Sequence, residues 1–192
     1  MLRTKEYKKA DRYLAAKKWL RTTDYYKSAP EAIEKMITPL NKKIKKLLKD
    51  LDFVSVEDDS TDIMRIIAKN PSRYYMLDLW ATWCELCLSY MKLLDDMNLP
   101  ESLQIINLST DYERDAEDWK TMHSQIMGEK IGYRLKVDAQ ESADFLDLLK
   151  LKSIPRYIIF DKNLNLIDHE FYAPYEPQFK DKIYDLKNYE YW

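Results

Sequence analysis

The chain has 192 residues, of which 46% are hydrophobic and 33% charged, and its net charge is −2. This is the composition of a globular protein that can bury a core. No apolar run approaches the length of a transmembrane helix. The first twenty residues are rich in Lys and Arg and have no apolar h-region, so we expect neither a membrane span nor a signal peptide.

The charge is distributed unevenly along the chain. Residues 1–50 carry 15 Lys and Arg against 6 Asp and Glu, a net charge of +9, whereas the remainder carries 16 against 27, a net charge of −11. A basic segment can bind nucleic acid or an anionic membrane surface. Because these lysines alternate with core-type residues, we expect instead a solvated helix face that docks on the acidic remainder, and no nucleic-acid partner.

Residues 1–50 are expected to form a helical extension without a catalytic constellation. Residues 4–20 have a weak helical periodicity. An amphipathic helix is predicted from Ser28 onwards by apolar residues at spacings of three, four and seven, which are Ile33, Met36, Ile37, Leu40, Ile44, Leu47, Leu48 and Leu51. Pro39 interrupts this pattern, which predicts either one kinked helix or two short ones.

After residue 50, predicted strands and helices alternate and end in a hairpin, an order that indicates a mixed α/β sandwich. The predicted elements are a strand at 53–56, a helix at 60–69, a strand at 74–80, a helix at 84–97, a strand at 103–108, a helix at 114–127, a strand at 133–137, a helix at 142–149, hairpin strands at 157–161 and 164–169, and a helix at 178–187. Strand 74–80 is a continuous apolar run of the kind buried on both faces. Because the chain has only two glycines, we expect Asn163 and Asn165 to supply left-handed backbone in the hairpin turn.

Two cysteines lie where strand 74–80 passes into the next predicted helix. Cys84 would stand at the helix N-terminus, where unpaired N–H groups and the helix dipole favour a thiolate. Cys87 would lie about one turn further on, close enough to attack a mixed disulfide formed at Cys84. The apolar run before them contains one acid, Asp78, which is costly to bury without a role or a partner. The motif therefore predicts a redox dithiol.

Other uses of a Cys-x-x-Cys motif agree less well with the sequence. A zinc site would need His123 and His169 as further ligands, and neither has finger spacing from the other or from the cysteines, so we predict no metal site. Inert buried cysteines are a further alternative. Peroxide reduction by a lone reactive Cys would require a Thr three residues before that Cys. Ala81 occupies this position relative to Cys84.

Two segments resemble thioredoxin-fold proteins, most closely the TlpA-like thiol-disulfide oxidoreductases of bacterial envelopes. The first is Trp-Ala-Thr-Trp-Cys-Glu-Leu-Cys at 80–87, and the second is Ser-Ile-Pro-Arg-Tyr-Ile-Ile-Phe-Asp-Lys at 153–162. Ala173-Pro174 also agrees with that family. The resemblance implies a thioredoxin-like α/β/α sandwich over residues 51–192, preceded by the helical extension at 1–50.

The resemblance also implies roles for the residues around the dithiol. Cys84 would be the nucleophile and Cys87 the resolving thiol. Asp78 would be the buried carboxylate that deprotonates Cys87 through water; a hydrogen-bonded structural acid is the alternative. Pro155 corresponds to the family's cis-proline, which leaves the Ile154 backbone free to pair with an extended substrate strand; an ordinary trans proline is the alternative.

Trp83 and Arg156 are expected to border the site as further substrate-binding residues. Arg156 would favour an acidic client, or would be a solvated surface residue. The chain departs from the family at Glu85-Leu86, where Gly-Pro is usual, and at Lys92, where a proline is usual. The Glu85 carboxylate opposes thiolate formation at Cys84, whereas the helix N-terminus favours it.

The implied function is that of a thiol-disulfide oxidoreductase that exchanges or reduces disulfides in protein substrates. Its partners would be those substrates and a thiol electron donor, with no cofactor, and its location would be the periplasm or cell envelope. The alternative is a redox-silent adaptor in which the thioredoxin fold is a docking surface and the N-terminal helices bind the partner.

Overall fold

The computed structural model describes residues 41–128 and 130–186, which form one seven-stranded mixed sheet with helices on both faces. The strands are β1 (Phe53–Val54), β2 (Ser60–Thr61), β3 (Tyr74–Trp80), β4 (Leu103–Ser109), β5 (Gly132–Leu135), β6 (Arg156–Asp161) and β7 (Leu166–Phe171). The helices are α1 (described over 41–50), α2 (Ile63–Lys69), α3 (Glu85–Asp95), α4 (Ala116–Ile126), α5 (Gln140–Leu148) and α6 (Pro177–Tyr184).

Strand β3 lies inside the sheet, whose order is β2-β1-β5-β4-β3-β6-β7. It pairs in parallel with β4 and antiparallel with β6, and all seven of its residues are buried. This agrees with the continuous apolar run that predicted a strand covered on both faces. The carboxyl ends of β3 and β4 therefore meet at one edge of the sheet, where the cysteine motif begins.

The two faces of the sheet are covered by different helices. On β3, Tyr75, Leu77 and Leu79 pack in one apolar cluster with buried residues of α1, α2 and α5. Met76 and Trp80 point to the opposite face, because side chains alternate along a strand, and they pack with residues of α3, α4 and α6. The predicted thioredoxin-like α/β/α sandwich is confirmed.

The predicted helix at 60–69 is wrong in its first residues. Ser60 and Thr61 instead form β2, which pairs antiparallel with β1. The helix begins after Asp62, whose carboxylate accepts hydrogen bonds from the backbone N–H groups of Met64 and Arg65 at 2.9 and 3.0 Å. Local sequence identifies the helix, but the short strand before it forms by hairpin pairing with β1, six to eight residues earlier in the chain.

The predicted left-handed asparagines in the β6–β7 turn are also wrong. Leu164 has the positive φ of 61° there. The Asp161 carboxylate organises the turn, since it accepts hydrogen bonds from the backbone N–H groups of Asn163 and Asn165, each at 2.8 Å. Leu164 is fully buried, so the anchoring of its side chain in the core decides which residue takes the unfavourable backbone conformation.

Residues 41–50 are helical, in agreement with the C-terminal part of the predicted amphipathic helix. The other predictions for the N-terminal extension, including a helix at 4–20 and a break at Pro39, lie outside the described residues. Within the described ranges, no helix has the length and apolar character needed to cross a membrane.

Candidate active site

The two cysteines lie at the start of α3, immediately after the turn that follows β3. Cys84 is the N-cap of the helix, and its backbone N–H donates to the carbonyl of Ala81 at 3.0 Å. The two side chains form a disulfide with an S–S distance of 2.05 Å. The backbone N–H of Cys87 donates to Cys84 Sγ at 3.2 Å. The helix terminus thus presents an N–H group to this sulfur, which would also stabilise it as a thiolate.

The two sulfur-bearing residues differ in their access to solvent. Cys84 is 7% exposed, whereas Cys87 is 1% exposed and packs in an apolar cluster with Trp80 and Met91. A partner can therefore reach Cys84 more easily than Cys87. This is the arrangement that an attacking outer thiol and a resolving inner thiol require.

Asp78 lies on the face of β3 that α3 covers. On its own face of β3 its neighbours are Met76 and Trp80; Trp80 packs with Cys87, and Met76 shares a cluster with Leu94, two turns further along α3. Asp78 is fully buried, and neither carboxylate oxygen has a hydrogen-bond partner within residues 41–128 and 130–186. Burial raises the pKa of Asp78 from 3.8 to about 8. A carboxyl group with this pKa can exchange protons with a thiol near neutral pH.

A second segment reaches the dithiol from the loop before β6. The peptide bond between Ile154 and Pro155 is cis. The Ile154 side chain packs against the apolar cluster that contains Cys84, Cys87 and Trp80. The structure thus brings the two segments that resemble the thioredoxin-fold family together at one edge of the sheet.

Trp83 and Arg156, the predicted border residues, have different environments. Trp83 directly precedes Cys84 and is 71% exposed, so its ring is available to a partner. The side chain of Arg156 is 11% exposed and forms an ion pair with Glu170 at 3.3 Å. It also donates to the carbonyl of His169 at 3.5 Å. The alternative of a solvated surface arginine is therefore wrong, because β7 covers this side chain.

A cluster of polar residues that the sequence did not predict supports the turn before Cys84. Asp111 is buried, and its carboxylate accepts hydrogen bonds from the Thr82 backbone N–H at 3.0 Å and the Thr82 hydroxyl at 2.8 Å. The hydroxyl of Ser109 donates to the same carboxylate at 2.6 Å. The Thr110 backbone N–H donates to the carbonyl of Trp80 at 2.8 Å. These bonds join the end of β4 to the loop that positions Cys84.

We predict that Asp111→Ala lowers the free energy of unfolding by about 2–4 kcal/mol, because it removes the acceptor of several buried donors. Urea denaturation of the oxidised protein measures this effect, with Asp138→Ala as the control because Asp138 is exposed in a turn. Asp111→Ala should also slow alkylation of the reduced Cys84. Loss of stability equal to that of Asp138→Ala would contradict the prediction.

The two histidines considered as zinc ligands lie apart and contact other residues of the fold. His123 packs against Trp119 with ring centroids 5.4 Å apart, and burial lowers its pKa. His169 is part of β7, where its carbonyl accepts from Arg156. Among the described residues, no group of three or more His, Cys, Asp or Glu side chains is placed to hold a metal ion.

Comparisons with known proteins agree with this geometry. The model of the thioredoxin-like family matches residues 70–166, about half of the chain, which includes the dithiol, Asp78 and the Ile154–Pro155 segment. No curated protein sequence matches the chain.

Several solved structures share the fold at low sequence identity. A provisionally assigned thiol-disulfide oxidoreductase of Bacteroides vulgatus is 22% identical, with a TM-score of 0.57 over 72% of this chain and 87% of that one. A thiol:disulfide interchange protein from a Bacteroides species is 18% identical, with a TM-score of 0.53 over 73% and 90%. An uncharacterised thioredoxin-like protein from Porphyromonas gingivalis is 19% identical, with a TM-score of 0.52 over 72% and 88%.

The sheet order, the helix layers and a disulfide at the start of α3 define a thioredoxin-fold protein. With the match over residues 70–166, the chain belongs to the thioredoxin-like family.

Proposed function

We propose that the protein is a thiol-disulfide oxidoreductase that reduces or exchanges disulfides in other proteins through Cys84 and Cys87. The observation that carries this proposal is the disulfide at the N-terminus of α3, in which Cys84 is slightly more exposed than Cys87. Asp78 supports it, because a fully buried carboxyl group lies under that helix without a hydrogen-bond partner in the described part of the chain.

In the reaction, the Cys84 thiolate attacks one sulfur of a substrate disulfide. A mixed disulfide forms between Cys84 and the substrate, and the other substrate sulfur leaves as a thiolate. Cys87 then transfers its proton to Asp78 and attacks Cys84 Sγ as a thiolate. This second attack forms the Cys84–Cys87 disulfide and releases the remaining substrate thiolate, so two electrons pass from the dithiol to the substrate. A separate dithiol donor restores the reduced pair.

The substrate would bind beside the dithiol as an extended segment. Within the described residues, neither the N–H nor the carbonyl of Ile154 takes part in a backbone hydrogen bond, so both groups are available to a substrate strand next to Cys84. Trp83 would cover the other side with an exposed aromatic ring, and Pro155 and Arg156 would complete the border. We place this activity in the bacterial cell envelope, on the resemblance to TlpA-like proteins.

We predict that Cys84→Ser abolishes insulin reduction, and that Cys87→Ser accumulates a mixed disulfide that can be trapped with a substrate. The measurement is insulin turnover with dithiothreitol as donor, combined with a redox titration of the wild-type cysteines in glutathione buffers. Ser89→Ala is the matched control, because this residue lies exposed on the same helix. Faster alkylation of Cys84 than of Cys87 in the reduced protein is also expected.

A redox-silent adaptor would give a different result. Its cysteines would not cycle reversibly in the glutathione titration, and insulin turnover would be the same with and without Cys84. Either outcome would overturn the proposed function.

A further inference from the structure

Tyr157 on β6 lies directly opposite Asp78 on β3 in the antiparallel register. Residues paired in this way have their Cβ atoms about 5 Å apart and project from the same face of the sheet. Tyr157 is 1% exposed. Its hydroxyl oxygen, like both oxygens of Asp78, is buried without a hydrogen-bond partner among the described residues. Two unsatisfied polar groups thus occupy paired positions on the face of the sheet that α3 covers.

The chemistry of the two groups is complementary. An ionised carboxylate only accepts hydrogen bonds, whereas a phenol hydroxyl donates one. Burial, followed by the charges of Asp78 and Tyr90, raises the pKa of Tyr157 far above its usual value, so the hydroxyl retains its proton. The ring is held edge-on against Phe179, with centroids 6.5 Å apart. Tyr157 therefore keeps a hydroxyl proton that it can donate to an ionised carboxylate.

Few other groups near Asp78 can titrate. Cys87 approaches from α3, and its packing partner Trp80 is two residues from Asp78 on the same face. Tyr90, also on α3, interacts with Tyr157 and packs against Tyr175 with ring centroids 5.2 Å apart. Asn107, opposite Asp78 on β4, directs its side-chain amide to the carbonyl of Ile131 at 3.2 Å. Two donors among these neighbours have no hydrogen-bond partner within the described residues, the Tyr157 hydroxyl and the Trp80 indole N–H. Of the two, only Tyr157 is paired directly opposite Asp78.

We infer that Tyr157 is a positioning residue for Asp78. The Tyr157 hydroxyl donates to the ionised Asp78 carboxylate and stabilises it during resolution of the mixed disulfide. The inference rests on the proposed function, since it assigns a partner to the base of that reaction. When Cys87 transfers its proton to Asp78, the hydroxyl loses a charged acceptor and keeps its own proton. Tyr157 thus orients the base and sets how much of it is ionised, without touching the substrate.

The first test is the titration of the Asp78 carboxyl group in the oxidised protein, followed by carbon-13 NMR after selective aspartate labelling. Tyr157→Phe should raise the pKa of Asp78 by about one pH unit, because a hydrogen bond to a charged group is lost. The matched control is Tyr75→Phe. Tyr75 is equally buried on β3 but points to the opposite face, where its hydroxyl bonds to Asn70 and Ser72. Tyr75→Phe should leave the Asp78 titration unchanged.

The second test is the rate at which a mixed disulfide on Cys84 is resolved, measured by stopped-flow between pH 6 and 9. Tyr157→Phe should slow resolution about tenfold at pH 7, shift the pH profile upward and leave the first attack by Cys84 unchanged. In the Asp78→Asn background the same substitution should have no effect on resolution. Coupling of this kind is expected only if the hydroxyl acts through the carboxylate.

The results separate this inference from the proposed function. If the wild type does not resolve a mixed disulfide, the proposed function fails, while the NMR titration still reports whether the two side chains are coupled. If the wild type is active but Tyr157→Phe moves neither the titration nor the pH profile, the inference alone is wrong. A Tyr157→Phe chain that cannot fold would also overturn it, since the hydroxyl would then be purely structural.

Discussion

Asp78→Asn is expected to stabilise the oxidised protein by an amount that grows as the pH rises from about 4 to about 8. In the folded protein the buried carboxyl group stays protonated until the pH approaches its raised pKa of about 8. In the unfolded chain the same group loses its proton near its ordinary pKa of 3.8. Between these values the folded state binds one more proton than the unfolded state, so rising pH favours unfolding. Asparagine is neutral throughout and removes this contribution.

The size of the effect follows from the shift in pKa. One pKa unit corresponds to 1.36 kcal/mol, so a shift of about four units gives roughly 5 kcal/mol at pH 8 as an upper limit. Urea denaturation at several pH values measures it. Other ionisable groups contribute equally to both proteins and cancel in the difference at each pH. The control is Asp138→Asn, because Asp138 is exposed and this variant should follow the wild type at every pH.

The stability gained by Asp78→Asn should accompany a loss of function. The variant lacks the base for Cys87, so resolution of a mixed disulfide should slow by a factor of about 10²–10⁴, the usual contribution of a positioned base. The first attack by Cys84 should be nearly unchanged. Equal slowing of both steps, or a stability difference independent of pH, would show that Asp78 has only a structural role.

The fold was predictable from sequence where local pattern and burial agree. The apolar run at 74–80 predicted a strand covered on both faces, and the cysteines after it predicted the start of the next helix; both elements are present. Predictions failed where pairing between strands or the burial of one side chain decides the structure. Ser60 and Thr61 became a strand because β1 lies beside them, and Leu164 took the left-handed backbone because its side chain is anchored in the core.

The site was predictable to a smaller extent. The motif carries Cys84 and Cys87, but the partners that support them come from other strands. Asp111 could have been found, because it follows the buried strand parallel to β3, and the carboxyl ends of parallel strands meet at one edge. The pairing of Tyr157 with Asp78 depends on the register of two strands almost 80 positions apart, and no local pattern specifies that register.

Helix α1 belongs to the core of the described structure. Ile44 and Leu48 are fully buried in the apolar cluster that also contains Leu77 and Leu79 of β3. This cluster lies on the face of the sheet opposite the dithiol, where Trp80 packs with Cys87. Helix α1 therefore packs against the rest of the described fold across the predicted boundary between residues 50 and 51. It does so on the face of the sheet away from Cys84 and Cys87.

Ile44→Ala and Leu48→Ala should each lower the free energy of unfolding by about 2–5 kcal/mol, because each leaves a cavity in the core. A chain that starts at residue 51 loses both side chains, which removes a large part of the 5–15 kcal/mol typical of a domain. It should melt earlier or aggregate. Lys46→Ala is the control, since Lys46 is exposed on the same helix and should change stability little.

Below their melting temperatures, the folded variants should reduce insulin at the wild-type rate, because the dithiol lies on the other face. Thermal unfolding and insulin turnover on the same samples test both statements, and lost turnover at unchanged stability would place α1 in the active site.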